Sequence, residues 1–476
     1  MDSVRSRVRW VGRLRRGIVR HAAELAALGS FPGHPPEEVL LAEVLPLLEA
    51  CRFLEREAEI TLRPRRAGGL GGAWWMGRLG LEVRREPFGL VAVISPSNYP
   101  LFLGAVHGLQ ALVAGNSVLW KPAPGCERVA LRLVQLARDA GLDCDLLEVL
   151  EETGTTGAEL IGEEVDKVVF TGSSATGRRV LGALANRAIP AVVELSGNDA
   201  VLVRSDADVE LAARALAFGL RFNRSRTCIA PRRVFVHARV RSELEERLRA
   251  LLSGSPALEC ALSTAEQDCL GQRVEEALRA GATSIFGGCD ASGVWRFPCV
   301  LGNVAPSMRL MREEMMAPVL SMRQVESDAE ALEALSASPY ALGASIFTRD
   351  EERGRLLAAS VCAGVVTLND LIVPTADPRV PFGGRKASGF GVTRGREGLL
   401  EMTQTKSVIW RNAKSARHLS GEPASREVAL ALVRLTHSDS WMERFRALWE
   451  LIRLTSARGP RGHGAEVAAK SKQTHI

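Results

Sequence analysis

The spacing of apolar positions divides the chain into a helical N-terminal region, a long alternation of strands and helices, and a polar C-terminal end. Val4, Val8, Val11 and Ile18 recur on one helix face, with seven arginines from Arg5 to Arg20 around it. This predicts a surface helix with solvated arginines. A second helical pattern runs from Pro36 to about Glu59, and Pro64 to Gly80 reads as loop. Beyond it, short apolar runs predict strands at Leu81–Glu86, Leu90–Ser95, Ser117–Lys121, Leu147–Leu150, Lys167–Phe170 and Ala191–Leu195. Helical stretches such as Arg128–Ala140 and Thr176–Ala185 lie between them. A second alternating region spans about Ala200 to Gly391, with helices at 207–220, 241–252 and 264–280. Such alternation predicts an α/β fold with a parallel, doubly wound sheet.

Residues 87–120 imitate a membrane span, because they contain no Asp, Glu, Lys or Arg. Pro96, Asn98 and Pro100 interrupt the stretch, and Gly104, Gly108 and Gly115 follow. It reads as strand, loop, helix and next strand. No apolar signal core precedes a small-residue cleavage site, so no secretion is expected. Nine cysteines, an odd number without a CxxC pair, suit a reducing cytoplasm and argue against a disulfide framework or a metal site. With 476 residues, 46% of them hydrophobic, the chain can bury two or three cores and is not disordered. The net charge of +6 resides wholly in Arg411–Ile476, which carries 12 basic and 6 acidic side chains. The balanced body gives no reason to expect a nucleic-acid partner.

Four local features carry chemistry. The strand Lys167–Phe170 runs into Thr171-Gly172-Ser173-Ser174-Ala175-Thr176-Gly177 before a helix, a turn that offers free N–H groups to a phosphate. Its spacing departs from the three close glycines of the usual dinucleotide fingerprint. Glu194-Leu195-Ser196-Gly197 ends an apolar strand, where a carboxylate is often an ordinary satisfied acid. Cys228 lies in Asn223-Arg224-Ser225-Arg226-Thr227-Cys228-Ile229-Ala230-Pro231, and a lone cysteine before Ile and Ala is ordinarily a small core residue. Asn98 sits in Ser95-Pro96-Ser97-Asn98-Tyr99-Pro100, by itself a turn.

Taken in order, these features and Lys121-Pro122-Ala123, Glu313–Val319 and Pro381–Gly384 resemble the aldehyde dehydrogenase superfamily over roughly residues 10–410. Glu194 and Cys228 are 34 residues apart, the family's usual separation, and the short N-terminal region looks most like its fatty-aldehyde-type branch. The resemblance implies a Rossmann-like cofactor domain over 1–197, interrupted by an oligomerisation strand near 79–87. It further implies a catalytic domain over 198–394, oligomerisation strands over 395–411 and a homo-oligomer. It implies oxidation of an aldehyde to an acid with NAD or NADP, through a thiohemiacetal and a thioester on Cys228. Glu194 is then the water-activating base, and Asn98 with the Cys228 N–H forms the oxyanion hole. Lys121, Gly172, Ser173, Gly177 and Glu314 fall at cofactor-binding positions of the family. Two other readings stand beside this one: a non-catalytic relative that keeps the fold for binding, and an acylating enzyme that passes the thioester to coenzyme A.

The sequence also departs from the family. Ser225 and Arg226 replace the usual Gly-Gln, and an arginine there either lowers the thiol pKa or obstructs the cofactor channel. Ser196 replaces a glycine, and Met316 stands where an aromatic often packs. Pro124 replaces a frequent ribose-binding Glu, which removes repulsion against a 2′-phosphate. In the tail 412–476, Ser440-x-x-Glu443 forms a capping box before Trp441, Phe445, Leu448 and Ile452 at helical spacing. This helix is expected to dock on the body or a neighbouring subunit, with peripheral contact to an anionic membrane as the second reading.

Overall fold

The apolar strands assemble into two separate, mostly parallel sheets in the computed structural model, which describes residues 3–31, 34–67, 79–150, 160, 164–254, 264–289, 295–411 and 425–456. The chain divides into two compact units, one of residues 1–63 and 85–406, the other of 64–84 and 407–476.

The first sheet has the spatial order Gly389–Phe390, Ala191–Leu195, Lys167–Gly172, Leu90–Ile94, Ser117–Lys121, Leu147–Val149. All neighbours run parallel except Gly389–Phe390, which sets Gly389 opposite Glu194. The chain starts at Leu90–Ile94, builds outward to Leu147–Val149, then returns to lay Lys167–Gly172 on the other side of its first strand. The strand order therefore reverses between Leu90–Ile94 and Lys167–Gly172. Loops leaving the carboxyl ends of these two strands flank a crevice, the place where open α/β sheets bind ligands.

The charge-free stretch is realised as strand, loop, the helix Phe102–Ala114 and the strand Ser117–Lys121. The helix is buried nearly all round, which accounts for its lack of charged residues. It has no side-chain N-cap of its own. Instead the buried carboxylate of Glu43 accepts from the N–H groups of Leu101 at 2.8 Å and Phe102 at 3.0 Å. Gly104 is required here, because a Cβ would lie 2.3 Å from the Trp120 ring. Among the described residues, no helix is long and apolar enough to cross a membrane.

The second sheet has the order Thr283–Cys289, Trp295–Gly302, Val319–Val325, Pro231–His237, Asp199–Val203, Gly343–Phe347, Val365–Leu368, parallel except for its first pair. Leu202, Phe235 and Ile346 enter one core while Val201, Val234 and Phe347 enter another. Both faces are covered, so the strands read as continuous apolar runs.

The N-terminal helix, Val4–Arg20, buries Trp10, Val11, Leu14 and Ile18. Five of its seven arginines, Arg5, Arg9, Arg13, Arg16 and Arg20, are exposed, as expected of a surface helix, and several also make bonds. Arg7 and Arg13 donate to the carbonyls of Val113 at 2.8 Å and Ala140 at 2.7 Å, at the C-terminal ends of two helices. Arg15 pairs with Glu55 at 2.5 Å.

In the second unit, Arg65–Ala67 is a strand within the stretch read as loop, and it pairs antiparallel with Leu79–Pro87. The rest of that loop, 68–78, lies outside the described residues. Thr403–Arg411 takes the other edge of Leu79–Pro87, and Gly80 leaves room for Trp410, whose ring a Cβ would meet at 2.1 Å. The described residues of the tail form two helices, Arg426–His437 and Trp441–Ser456, of which only the second is legible in the sequence. They pack on each other, with Ala431 and Ala447 their buried residues. Trp441, Phe445, Leu448 and Ile452 are 75%, 60%, 42% and 55% exposed in the single chain. The capping box is incomplete as well: the Glu443 carboxylate accepts from the Ser438 hydroxyl at 2.5 Å.

Candidate active site

Glu194 lies one residue before the end of its strand, opposite Thr171 on one side and Gly389 on the other. Its buried side chain meets Cys228 at a cavity of about 110 Å³. The other walls are mostly apolar, among them Tyr99, Phe102, Phe222, Ile372 and Phe382. Arg394 is the one cation among the lining residues.

Cys228 is presented by a strained loop. Asn223, Arg224 and Ser225 hold φ of 46°, 49° and 60°, three successive left-handed residues that are not glycine. Each costs about 1 kcal/mol, so the surroundings must hold them. Arg232, fully buried, donates to the Ser225 hydroxyl at 2.5 Å, to the Ser225 carbonyl, and to the Met315 carbonyl at 2.7 Å. Asn223 Nδ2 donates to the Asn98 carbonyl at 2.8 Å, and Asn98 Nδ2 donates to the Arg226 carbonyl at 2.7 Å. The hydroxyls of Tyr99 and Thr227 share a hydrogen bond of 2.5 Å. This reciprocal clasp brings the Asn98 loop and the Cys228 loop together across 130 residues of chain. One hydrogen of the Asn98 amide is already committed to Arg226, which leaves the second for any other acceptor.

The acidifying role expected for Arg226 is corrected. Its guanidinium stacks over the Phe31 ring at 5.4 Å and reaches the Ser97 hydroxyl at 3.4 Å, and it contributes to the site through its carbonyl. The thiol is not acidified. Burial, then the charges of Glu194 and Asp199, push Cys228 up to about 12. Burial likewise raises Glu194, opposed by Arg394 and by a hydrogen bond from the Thr393 hydroxyl to Oε1. Arg394 is held by its Nη1 bond to the Thr375 carbonyl at 2.6 Å and by the Phe382 ring 4.3 Å from the guanidinium.

The crevice at the strand reversal collects the remaining candidates. Lys121 ends the strand next to the Asn98 loop, and its ammonium has no partner among the described residues. Gly172 and Ser173 form the turn before the helix Ser174–Ala185, with the Ser173 hydroxyl accepting from the Thr176 N–H at 3.2 Å. Gly177 packs so closely on Leu195 that a Cβ would lie 2.3 Å from it, which seats the helix on the sheet. Oε2 of Glu314 accepts from the Ser174 hydroxyl at 2.9 Å, so this acid reaches the same helix start from the second sheet. Glu314 and Met316 also line a separate cavity of about 180 Å³ with Arg273. A free cation, a helix N-terminus and a carboxylate around one crevice fit the phosphates and ribose of a dinucleotide. Among the described residues, no cluster of three or more His, Cys, Asp or Glu could hold a metal.

The sequence reading missed Arg232, Thr393, Arg394 and Asp199. Gly395 and Gly398 after Arg394 hint at a tight loop, yet nothing local marks these side chains as facing the thiol.

Residues 2–408 match the model of the aldehyde dehydrogenase family. The chain is 33% identical over 398 residues to 4,4′-diapolycopene aldehyde oxidase of Methylomonas sp, covering 82% of this chain and 74% of that protein. It is 31% identical to betaine aldehyde dehydrogenase of Cereibacter sphaeroides, covering 82% of each. The crystal structure of an NAD-dependent aldehyde dehydrogenase from Sinorhizobium meliloti superposes with a TM-score of 0.80 at 27% identity, over 89% of this chain and 84% of that one. The chain belongs to the aldehyde dehydrogenase family. It is an oxidoreductase whose chemistry is NAD(P)-dependent oxidation of an aldehyde.

Proposed function

We propose that Cys228 is the nucleophile of this oxidation and Glu194 its base. The observation that carries the reading is that a thiol and a buried carboxylate share one mostly apolar cavity. Because Cys228 is a protonated thiol at neutral pH, it needs a base as it attacks, and Glu194, raised by burial, is suited to take the proton. The sulfur bonds to the carbonyl carbon, and the oxygen gains charge facing the free Asn98 amide hydrogen and the Cys228 N–H. Bound NAD or NADP supplies the hydride acceptor. Loss of hydride leaves a thioester on Cys228; Glu194, having released the thiol proton to solvent, then takes a proton from the water that hydrolyses it and returns that proton to the departing Cys228 sulfur. Lys121, Gly172, Ser173, Gly177 and Glu314 hold the dinucleotide. The exposed Pro124 places no carboxylate near its ribose, which admits NADP beside NAD. Retention of Glu194 favours water over coenzyme A as the acyl acceptor.

The substrate class is an aldehyde with an apolar body, since the cavity mouth carries exposed Leu41 and Val373. In this reading 1–197 serves the cofactor, 198–394 the thiol, and the open edge strand Thr403–Arg411 joins a second copy of a cytoplasmic chain. A panel of aldehydes with NAD and NADP, followed by reduced-nicotinamide absorbance with and without coenzyme A, tests it. Acid as the product supports it; acyl-coenzyme A as the main product, or no turnover of any aldehyde, overturns it.

A further inference from the structure

A third cavity, of about 290 Å³, shares no lining residue with the cavity of Cys228 or with that of Glu314. It lies against the strand Pro231–His237, the short helix Arg309–Arg312 and the end of the helix Asp328–Ser336. Three of its lining residues are arginines, Arg233, Arg312 and Arg323, with Ser307 and Ser338 beside them and no acid.

Arg233 is the informative one. It is 3% exposed, and its Nε donates to the Asn198 carbonyl at 2.7 Å. The guanidinium also faces the Phe235 ring, 5.7 Å from its centroid. Among the described residues its two Nη groups have no hydrogen bond and no ion pair within 4.0 Å. Asp199 supplies the opposing charge, but burial pushes that acid up to about 8, so it is a poor counter-ion at neutral pH. Arg312, which is exposed, has no protein partner among the described residues, and Arg323 is paired with Glu330 at 3.3 Å. The Arg233 guanidinium lines the cavity with no protein partner for its Nη groups, and its planar fork suits an oxyanion.

We infer that this cavity binds a phosphate group, free or as a small phosphomonoester, between Arg233, Arg312 and Arg323. A dianion answers two unpaired guanidinium groups where a single carboxylate answers one. The cavity volume leaves space for a small body on the phosphate. The site is tied to the catalytic unit through Asn198. Its carbonyl takes the Arg233 bond, while its Nδ2 donates to the carbonyls of Glu313 at 2.9 Å and Leu310 at 3.3 Å, next to Glu314. The binding itself does not rest on the roles given to Cys228 and Glu194.

The test is calorimetric titration of the full chain with inorganic phosphate and with glycerol phosphate at fixed ionic strength. Saturating NAD is present, so that the dinucleotide crevice is filled. Saturable binding of one anion per chain is expected, with affinity at least tenfold weaker in the R312A/R323A double variant. Both substitutions lie at partly exposed positions outside the catalytic cavity, so folding and aldehyde oxidation stay as in the parent. Tighter binding of the ester supports a phosphorylated metabolite, and equal binding supports free phosphate. Equal affinity in parent and double variant, no saturable binding, or equal binding of succinate overturns the inference.

Discussion

The Thr393 hydroxyl donates to Oε1 of Glu194, and its neighbour Arg394 presents a guanidinium to the same cavity. Two successive residues thus hold the acid by a hydrogen bond and by a charge. Burial raises Glu194, and Arg394 is the foremost group that opposes the rise. Arg394→Met therefore raises Glu194 further, so that its base form is lost at a higher pH. The acid limb of kcat moves upward, and Arg394→Lys restores it. A profile from pH 6 to 10 that is unchanged in Arg394→Met rejects this.

Cys228→Ala eliminates turnover while the fold and NAD affinity persist, measured by circular dichroism and fluorescence titration. The other eight cysteines are replaceable with packing effects only. Near-normal activity of Cys228→Ala removes the thiol from the mechanism.

Glu194→Gln slows steady-state hydrolysis by roughly 10²–10⁴-fold, the range of general-base catalysis. A pre-steady-state burst of reduced cofactor survives if Glu194 acts mainly on water. Loss of the burst in stopped flow moves its chief role to deprotonation of Cys228.

His34 makes stability depend on pH. Burial works against its charge, but Glu38 at 3.6 Å and Glu43 at 3.3 Å outweigh it and raise the imidazole to about 9. A folded pKa above the unfolded value of about 6.5 means the contribution is complete below pH 6.5 and lost as pH rises through 9, for about 3 kcal/mol in all. Urea unfolding at pH 6 and pH 9.5 measures the loss, and His34→Asn flattens it. An equal drop in His34→Asn assigns the slope elsewhere.

A chain ending at Arg411 keeps its folded first unit and its dehydrogenase activity, and differs in association measured by light scattering. Folded but inactive protein shows instead that the tail shapes the site.

The strands and helices of the body are legible because burial on both faces, or on one helix stripe, writes itself into apolar spacing. Ser117–Lys121 and Ala191–Leu195 fall where the spacing places them. Glu194 and Cys228 are legible only through motif order, since each alone reads as an ordinary core residue. Arg232, Thr393 and Arg394 are not legible at all. Arg394 meets Cys228 and Glu194 by closure of the chain across more than 160 residues, and periodicity carries no record of that. The left-handed Asn223–Ser225 run is hidden for the opposite reason, because no glycine marks it.

The tail hairpin closes on itself through alanines and leaves Trp441, Phe445 and Trp449 outside. Alanine burial contributes little, so two helices joined this way gain far less than the apolar area they carry. Such a pair opens locally at a small free-energy cost, and its amides exchange with solvent hydrogen well before those of the sheets. Whatever surface covers the tryptophans will therefore register first as a slowing of that exchange. The hairpin thus carries a built-in reporter of any surface that comes to cover it.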